Sequence, residues 1–217
     1  MPALVTSVNV VHALIPDGPG DLDRTAIDKR GVDGRVQVGP LGLRGDTQYD
    51  TRHHGGVEMA VYAYASEDAQ WWATELGYDV PPGRFGENMT TTGVDLTGAV
   101  LGERWRVGND GLVLEVLSPR IPCKTFQGWM EEPRWVKRFT ERGMPGAYLA
   151  VVMQGTVGRG DRVEVVHRPE HGVTIGAAFK LRQVGEEQLL QALGDPGVYG
   201  RMAKAIRRDL AARSRNR

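Results

Sequence analysis

The sequence has 217 residues, of which 41% are hydrophobic and 25% are charged, a composition typical of a globular protein with a hydrophobic core of its own. Its 27 basic and 27 acidic residues balance, so no excess charge favours nucleic acid, and we expect no nucleic-acid partner. The single cysteine excludes an internal disulfide, a zinc site with two or more thiolates and a cysteine-ligated iron–sulfur cluster.

The amino-terminal segment carries no targeting pattern. Its first twenty residues, MPALVTSVNVVHALIPDGPG, lack a basic region before the apolar run and soon reach a proline and an acid. We therefore expect neither a signal peptide nor a membrane anchor, and we expect a cytoplasmic protein. The β-branched run at 3–11 predicts the first strand, and GRVQV (34–38) and VEMAVYAY (57–64) predict two more.

Two helices are predicted in the middle of the chain. SEDAQWWATELG (66–77) has Ser66 as a candidate N-cap, acids in its first turn and Gly77 as its stop. EEPRWVKRFTERG (131–143) has Pro133 in its first turn and a glycine at its end.

Short strands dominate the rest of the first three quarters. VLGERWRV (100–107) and LVLEVLS (112–118) flank GNDG, a strong hairpin signal. Two further strands are predicted at 147–155 and 161–168, around the glycine-rich GTVGRG. Many short strands with two helices predict a barrel-like, largely antiparallel β domain over residues 1–168.

After residue 168 the apolar residues recur at helical spacing and predict three short helices in a module of residues 169–217, with a frayed tail from 211. The last helix has a basic face that is typical of a solvated surface and could also meet phosphate. Its cations are Arg201, Lys204, Arg207 and Arg208.

Four stretches carry more charged, glycine, proline or aromatic residues than packing alone requires. They are GLRGDTQYDTRHHGG (42–56), GRFGENMT (83–90), SPRIPCKTF (118–126) and the aromatic loop FQGWM (126–130). Glycine backbones and arginine forks suit an anion such as phosphate, so the first stretch is predicted to bind a ligand rather than form an ordered surface loop.

The histidines of the first stretch do not predict a zinc site. His53 and His54 are adjacent, so in extended chain they point to opposite sides, and no third ligand is evident nearby.

Cys123 leaves several roles open. A buried inert thiol is the ordinary case, and a protease-like nucleophile would need a histidine base that sequence cannot place. The flanking cations Arg120 and Lys124 favour a thiolate, the form that nucleophiles and soft-metal ligands require.

Several motifs together resemble the MOSC domain proteins, and specifically the YiiM-like branch. In chain order they are RHHGG, the strand ending in AVYAY, the helix with WW, PPGRFGENMTTTG, LGERWRVG and SPRIPCKTF, spread over residues 1–168. The tail from GVTIGAAF onward resembles the small helical module that often follows this branch.

The resemblance implies a mainly β fold with helices (α+β): a MOSC-type antiparallel β-barrel followed by a small C-terminal three-helix module. It also implies binding of the molybdenum cofactor (Mo-molybdopterin), a pterin with a phosphate and a dithiolene-chelated molybdenum, to which the thiolate of Cys123 is a ligand. A thiolate suits such a soft metal centre.

The resemblance further implies an activity. Characterised relatives in the wider family reduce N-hydroxylated compounds such as hydroxylaminopurines and amidoximes. The chain would then be an oxidoreductase that converts N–OH to N–H in a small substrate. An external flavoprotein or iron–sulfur electron donor is implied as a partner, and no membrane partner is expected.

The same resemblance suggests roles for particular residues. Cys123 would bind the metal, and His53 or His54 would donate a proton to the leaving hydroxyl near neutral pH. The residues expected to contact the cofactor are Arg52, Gly55, Gly56, Gly86, Glu87 and Asn88, with Arg44, Asp46 and Arg120 as second choices.

Two other functions keep the fold. The family takes its name from a domain of molybdenum cofactor sulfurases, so the chain would alternatively be a cofactor carrier or a sulfur-delivery module with a persulfide on Cys123. Because strand-like sequence begins at residue 3, we expect no preceding sulfurase domain and favour the enzyme. In a metal-free adaptor Cys123 would be inert.

Overall fold

The computed structural model describes residues 2–49 and 55–215. The strands in these residues are β1 Leu4–Val11, β2 Ile15–Pro16, β3 Arg24–Thr25, β4 Lys29–Gly31, β5 Arg35–Gly39, β6 Gly42–Leu43, β7 Val61–Ala65, β8 Met89–Thr92, β9 Arg104–Val107, β10 Leu112–Pro119, β11 Ala147–Met153, β12 Gly155–Gly158 and β13 Val163–His167. The helices are α1 Ser66–Leu76, α2 Lys124–Met130, α3 Trp135–Arg142, α4 Ile175–Phe179, α5 Glu186–Gly194 and α6 Gly200–Arg215, with 3-10 turns at Val57–Met59 and Leu181–Gln183.

Eight strands form one large sheet in the order β13, β9, β10, β11, β7, β8, β1, β4, and β12, β5 and β6 form a second. Neighbours are antiparallel except β7 and β8, where Ala63 pairs in parallel with Met89. A parallel pair needs a crossover connection, and α1 provides it. The fold is therefore mixed α+β, as expected.

The predicted barrel is not closed by a continuous ladder in the described part of the chain. The start of β1, the strand next to the β4 end of the sheet, does approach β13 at the other end, because Val5 N–H donates to the Asp161 carbonyl at 2.8 Å and Val163 N–H to the Ala3 carbonyl at 3.0 Å. Leu4 and Arg162 add one isolated antiparallel bridge. The sheet thus curves round on itself without the extended pairing of a closed barrel.

Most predicted elements are confirmed, including the hairpin of β9 and β10, in which Val107 pairs with Leu112. The predicted strand at 57–64 is only half a strand, because Val57–Met59 form a 3-10 turn. The glycine-rich 155–158 is itself a strand, and α6 continues to Arg215 where fraying was expected.

Three local predictions in the helices were wrong. The stretch 126–130 is not a loop but part of α2, because its apolar side chains are buried. Ser66 lies inside α1 rather than capping it, and its hydroxyl donates to Glu67. Pro133 lies before α3, because Arg134 adopts the left-handed conformation at φ 55° and the helix begins at Trp135.

Two buried clusters hold the fold together. The larger joins the sheet to apolar residues of the carboxyl-terminal helices, such as Ile175, Leu189 and Ile206. The division at residue 168 stays a prediction. No helix in residues 2–49 or 55–215 has the length and apolar character needed to cross a bilayer.

The smaller cluster is mainly aromatic. It packs the rings of Trp72, Phe85, Phe126, Trp135 and Phe139 together, with Trp72 and Trp135 centred 4.5 Å apart. Burying such rings stabilises a fold strongly, because each removes about 150–250 Å² from water. The cluster ties α1, the loop before β8, α2 and α3 into one unit.

Candidate functional site

A cleft of about 740 Å³ lies beside the aromatic cluster, within the range of roughly 300–1,000 Å³ that small-molecule sites occupy. Its walls come from segments 17–22, 25–29, 46–49, 59–62, 86–88 and 120–125, with Tyr148 from β11. Five residues predicted from sequence line it: Asp46, Gly86, Asn88, Arg120 and Cys123.

Cys123 stands at the entrance to α2. β10 ends at Pro119, and Cys123 is the extended residue that caps the helix, with its carbonyl accepting from Gln127 N–H at 3.0 Å. Pro122 restricts the residue before it and removes one backbone donor. The half-buried thiol is therefore held on a short rigid connection in the cleft wall.

Arg120 is a buried cation beside the thiol. The residue is 6% exposed, and its guanidinium lies 3.6 Å from the centre of the Phe126 ring and 5.2 Å from that of Tyr62. Burial acts to lower the pKa of Arg120, but the neighbouring tyrosines and Cys123 outweigh burial and raise it above its ordinary value. The side chain donates to the Phe85 carbonyl, while Nε has no hydrogen-bond partner among the described residues.

Lys29, Asp46 and Asn88 form a hydrogen-bonded row in the cleft. The side chains of Lys29 and Asp46 are 9% and 8% exposed and form an ion pair. Asp46 also accepts from Asn88 Nδ2 at 2.7 Å and from Val11 N–H at 2.8 Å. The pKa of Lys29 falls below its ordinary value because burial disfavours the ammonium, although Asp46 opposes this shift.

In the GRFGEN loop, the Glu87 side chain holds the backbone that positions Asn88. The buried Glu87 carboxylate accepts from Gly83 N–H at 2.6 Å, Phe85 N–H at 3.1 Å and the Thr90 hydroxyl at 2.8 Å. Burial raises the pKa of Glu87, and these bonds act against that rise. Glu87 therefore organises the loop, whereas Gly86 and Asn88 face the cleft.

Glycine is required in this loop where the chain passes closest to β4. Gly83 has φ 86°, and a Cβ there would overlap the carbonyl of Lys29. The loop therefore packs directly on the strand that carries the cleft lysine.

The remaining predicted residues lie apart from this row or outside the described residues. Gly56 N–H donates to Gln48 Oε1 at 2.7 Å, and Gln48 lines the cleft, so the Gly55–Gly56 pair adjoins it. Arg44 is exposed and is not among the cleft-lining residues. The predictions for Arg52, His53 and His54 fall outside the described residues.

Sequence reasoning missed four of the residues that shape this cleft: Asp17, Lys29, Tyr62 and Tyr148. The two tyrosine rings are centred 5.0 Å apart, and burial raises the pKa of both phenols, so both are neutral. Only the run PDGPGDLD carried a visible signal, since its aspartates, glycines and prolines are typical of a structured turn.

The described residues contain no group of three or more histidine, cysteine, aspartate or glutamate side chains placed to hold a metal ion. A metal that brings most of its own ligands and takes one thiolate is compatible with the cleft.

The family model of the MOSC domain matches residues 50–164, which include Asn88, Arg120 and Cys123. The chain belongs to the MOSC domain family. MOSC domains are of the molybdenum cofactor-binding type, so a function related to that cofactor is supported.

Individual relatives place this MOSC protein in the YiiM-like branch. It is 30% identical over 148 residues to protein YiiM of Escherichia coli, covering 66% of this chain and 65% of that one. It is 33% identical over 150 residues to a reductase of Gibberella moniliformis, covering 67% of this chain but only 26% of the reductase. The crystal structure of YiiM from Geobacillus stearothermophilus superposes with a TM-score of 0.77 at 24% identity, covering 96% and 100% of the two chains, and shows the same fold.

Proposed function

We propose that this MOSC protein binds the molybdenum cofactor in the cleft and reduces N-hydroxylated compounds there. The observation that carries the proposal is the half-buried thiol of Cys123 in the cleft wall, beside the buried guanidinium of Arg120. When bound, the cofactor supplies two-electron redox chemistry at a soft metal, for which a thiolate is a suitable ligand.

The side chains present fit such a group. Cys123 offers the sulfur, and the cations of Lys29 and Arg120 suit its anionic parts. Arg120 Nε is a buried donor without a partner among the described residues, which a ligand acceptor would satisfy. Asn88 lines the cleft with both amide hydrogens donated to Asp46 and Asn9, so one lone pair of its oxygen, beyond the one that accepts from Tyr62 N–H, is left for a ligand donor.

The reaction consumes two electrons and two protons, breaks the N–O bond and releases the product with N–H and one water. His53 and His54 stay the predicted proton donors. We propose that the electrons come from a separate flavoprotein or iron–sulfur protein. The exposed basic face of α6 supports such docking, because the start of this helix lies near the cleft. Arg201 N–H donates to Glu58 at 2.8 Å, and the neighbouring Met59 lines the cleft.

Molybdenum analysis tests the proposal. Wild type and Cys123→Ala would be purified from a host that makes the cofactor, with Ile121→Ala as the control, since Ile121 lines the same cleft and is 60% exposed. We expect near-stoichiometric molybdenum in wild type and control, and loss of metal and of N-hydroxyl reduction in Cys123→Ala. Substituting one thiol typically costs no more than about 1–2 kcal/mol, so the variant should stay folded.

The outcomes separate the alternative functions. Wild-type protein that holds the cofactor but reduces no N-hydroxylated compound with a chemical reductant would indicate a carrier. Absence of molybdenum even after reconstitution would contradict the proposal and indicate an adaptor. Full activity of Cys123→Ala would show that the thiol is not a metal ligand.

A further inference from the structure

Asp17 is a buried carboxylate, and one of its oxygens has no hydrogen-bond partner among the described residues. The residue is 4% exposed and lines the same cleft as Cys123. Its Oδ2 accepts from Leu22 N–H at 3.2 Å, but its Oδ1 is buried and has no hydrogen-bond partner among the described residues.

The other carboxylates of the cleft are accounted for. Asp46 accepts three donors, including the Lys29 ammonium. Asp21 is 89% exposed and lies 3.7 Å from the ammonium of Lys124. Asp17 has no cation within ion-pair distance in the described part of the chain. A buried acceptor left unsatisfied is destabilising, so such a group calls for an explanation.

The chain is shaped to keep this carboxylate where it is. A Cβ at Gly20 would overlap the Asp17 carboxylate, so a side chain there would displace the carboxylate from its present position. Pro19 of the same loop packs on Gly128 of α2, where a Cβ would overlap the proline ring. The loop that holds Asp17 is therefore seated on the helix that begins at Cys123.

We propose that Asp17 accepts a pair of N–H hydrogens from a ligand in the cleft, through an amidine-like N–C–N edge. A carboxylate presents two oxygens in one plane, and two parallel N–H donors match them in a bidentate, charge-assisted pair. The inference rests on the proposed function, from which two ligands with such an edge follow. One is the aminopyrimidine edge of the cofactor's pterin, and the other is the amidine formed when a substrate of the N-hydroxylated amidine class is reduced, since only the reduced compound carries N–H on both nitrogens.

The substitution Asp17→Asn tests the proposal, because asparagine keeps the shape and an oxygen for Leu22 N–H but replaces the other acceptor with a donor. Asp21→Asn is the matched control in the same loop. Two arms identify the source of the edge. One measures pterin and molybdenum per chain after expression in a cofactor-competent host. The other measures calorimetric binding of benzamidine, with benzamide as the probe that lacks the N–H pair.

We expect Asp17→Asn to weaken one of the two interactions by about 10- to 100-fold, the loss typical of a charge-assisted pair, and Asp21→Asn to change neither by more than about twofold. Loss of pterin identifies the cofactor as the ligand, and loss of benzamidine binding with benzamide unaffected identifies the substrate class. If neither arm responds, the proposal is overturned. It is equally overturned if both fall together with a drop of more than about 5 °C in the unfolding temperature, which indicates a structural role.

The experiment also separates this inference from the proposed function. Wild type that holds no molybdenum or pterin, yet binds benzamidine through Asp17, contradicts the proposed function and supports the role of Asp17. Wild type loaded with cofactor, with Asp17→Asn unchanged in both arms, supports cofactor binding and overturns the role of Asp17.

Discussion

The guanidinium of Arg120 lies 3.6 Å from the centre of the Phe126 ring, so the residues three positions before and three positions after Cys123 stack on each other. This contact closes the chain around the thiol and keeps a permanent positive charge beside it. A cation stacked on a desolvated ring gains about 2 kcal/mol or more. The aromatic cluster therefore fixes the electrostatic setting of the cysteine as well as its position.

We expect Arg120→Lys to lower the free energy of unfolding by about 1–3 kcal/mol, because the Phe85 carbonyl and the Phe126 ring lose their partner. We also expect it to reduce cofactor content, since lysine cannot reproduce the planar fork. Urea unfolding and molybdenum analysis measure the two effects. Arg84→Lys is the control, because Arg84 stacks on Trp129 at 4.5 Å without lining the cleft. Unchanged cofactor content in Arg120→Lys would contradict the assigned role.

The ion pair of Lys29 and Asp46 is expected to be strongly coupled. Removing one partner of a buried pair leaves an uncompensated charge, at a cost of about 3–5 kcal/mol. We therefore expect Lys29→Met and Asp46→Asn each to be destabilising, and the double variant to lose clearly less than the sum of the two. A double-mutant cycle by urea unfolding measures this coupling. Additive losses would show that the pair contributes no interaction energy of its own.

Gly128→Ala should destabilise the protein although alanine is the better helix former. An added methyl group would overlap the ring of Pro19 and push the loop of Asp17 away from α2. Gly194→Ala is the matched control, because nothing lies within 4 Å of its Cβ position in α5, and we expect it to be neutral or stabilising by up to about 1 kcal/mol. Thermal unfolding of both variants gives the comparison, and a stabilised Gly128→Ala would show that the loop does not need this contact.

Burial raises the pKa of Asp68 to about 6 from an ordinary value of 3.8. The folded state thus favours the neutral form of Asp68. The stabilisation that this group contributes is fully present below pH 3.8 and is lost as the pH rises through about 6. We expect the free energy of unfolding to gain about 1–2 kcal/mol from this group between pH 8 and pH 4. Asp68→Asn should remove that gain.

The neighbouring Glu67 is expected to contribute with the opposite sign, and its charge is also one of the causes of the raised pKa of Asp68. Burial alone would raise the pKa of Glu67, but hydrogen bonds from Gly93 N–H and the Thr92 hydroxyl outweigh burial and lower it. The stabilisation that ionised Glu67 contributes is therefore lost as the pH falls through its folded-state pKa. Glu67→Gln should abolish this acid-induced decrease in the free energy of unfolding. Denaturant unfolding from pH 2 to pH 8 distinguishes the variants, and identical profiles would contradict both assignments.

Much of the fold was predictable because its signals are local. The hairpin of β9 and β10 follows from GNDG between apolar runs, and α1 follows from its acidic first turn and Gly77. The prediction of a loop over 126–130 was wrong because a short stretch of aromatic residues around a glycine is compatible with either a loop or a buried helix. The helix is favoured because it buries Phe126 and Met130 in the aromatic cluster.

By itself the sequence determined the family and the candidate thiol, because ordered motifs and a unique cysteine are properties of the chain alone. Only the tertiary structure decided what surrounds that thiol. Lys29, Asp46 and Asn88 are far apart in sequence, and they meet because β4, the segment after β6 and the loop before β8 converge on one cleft. The unsatisfied oxygen of Asp17 has the same origin, since whether a carboxylate finds a partner depends on packing, which residue type does not encode.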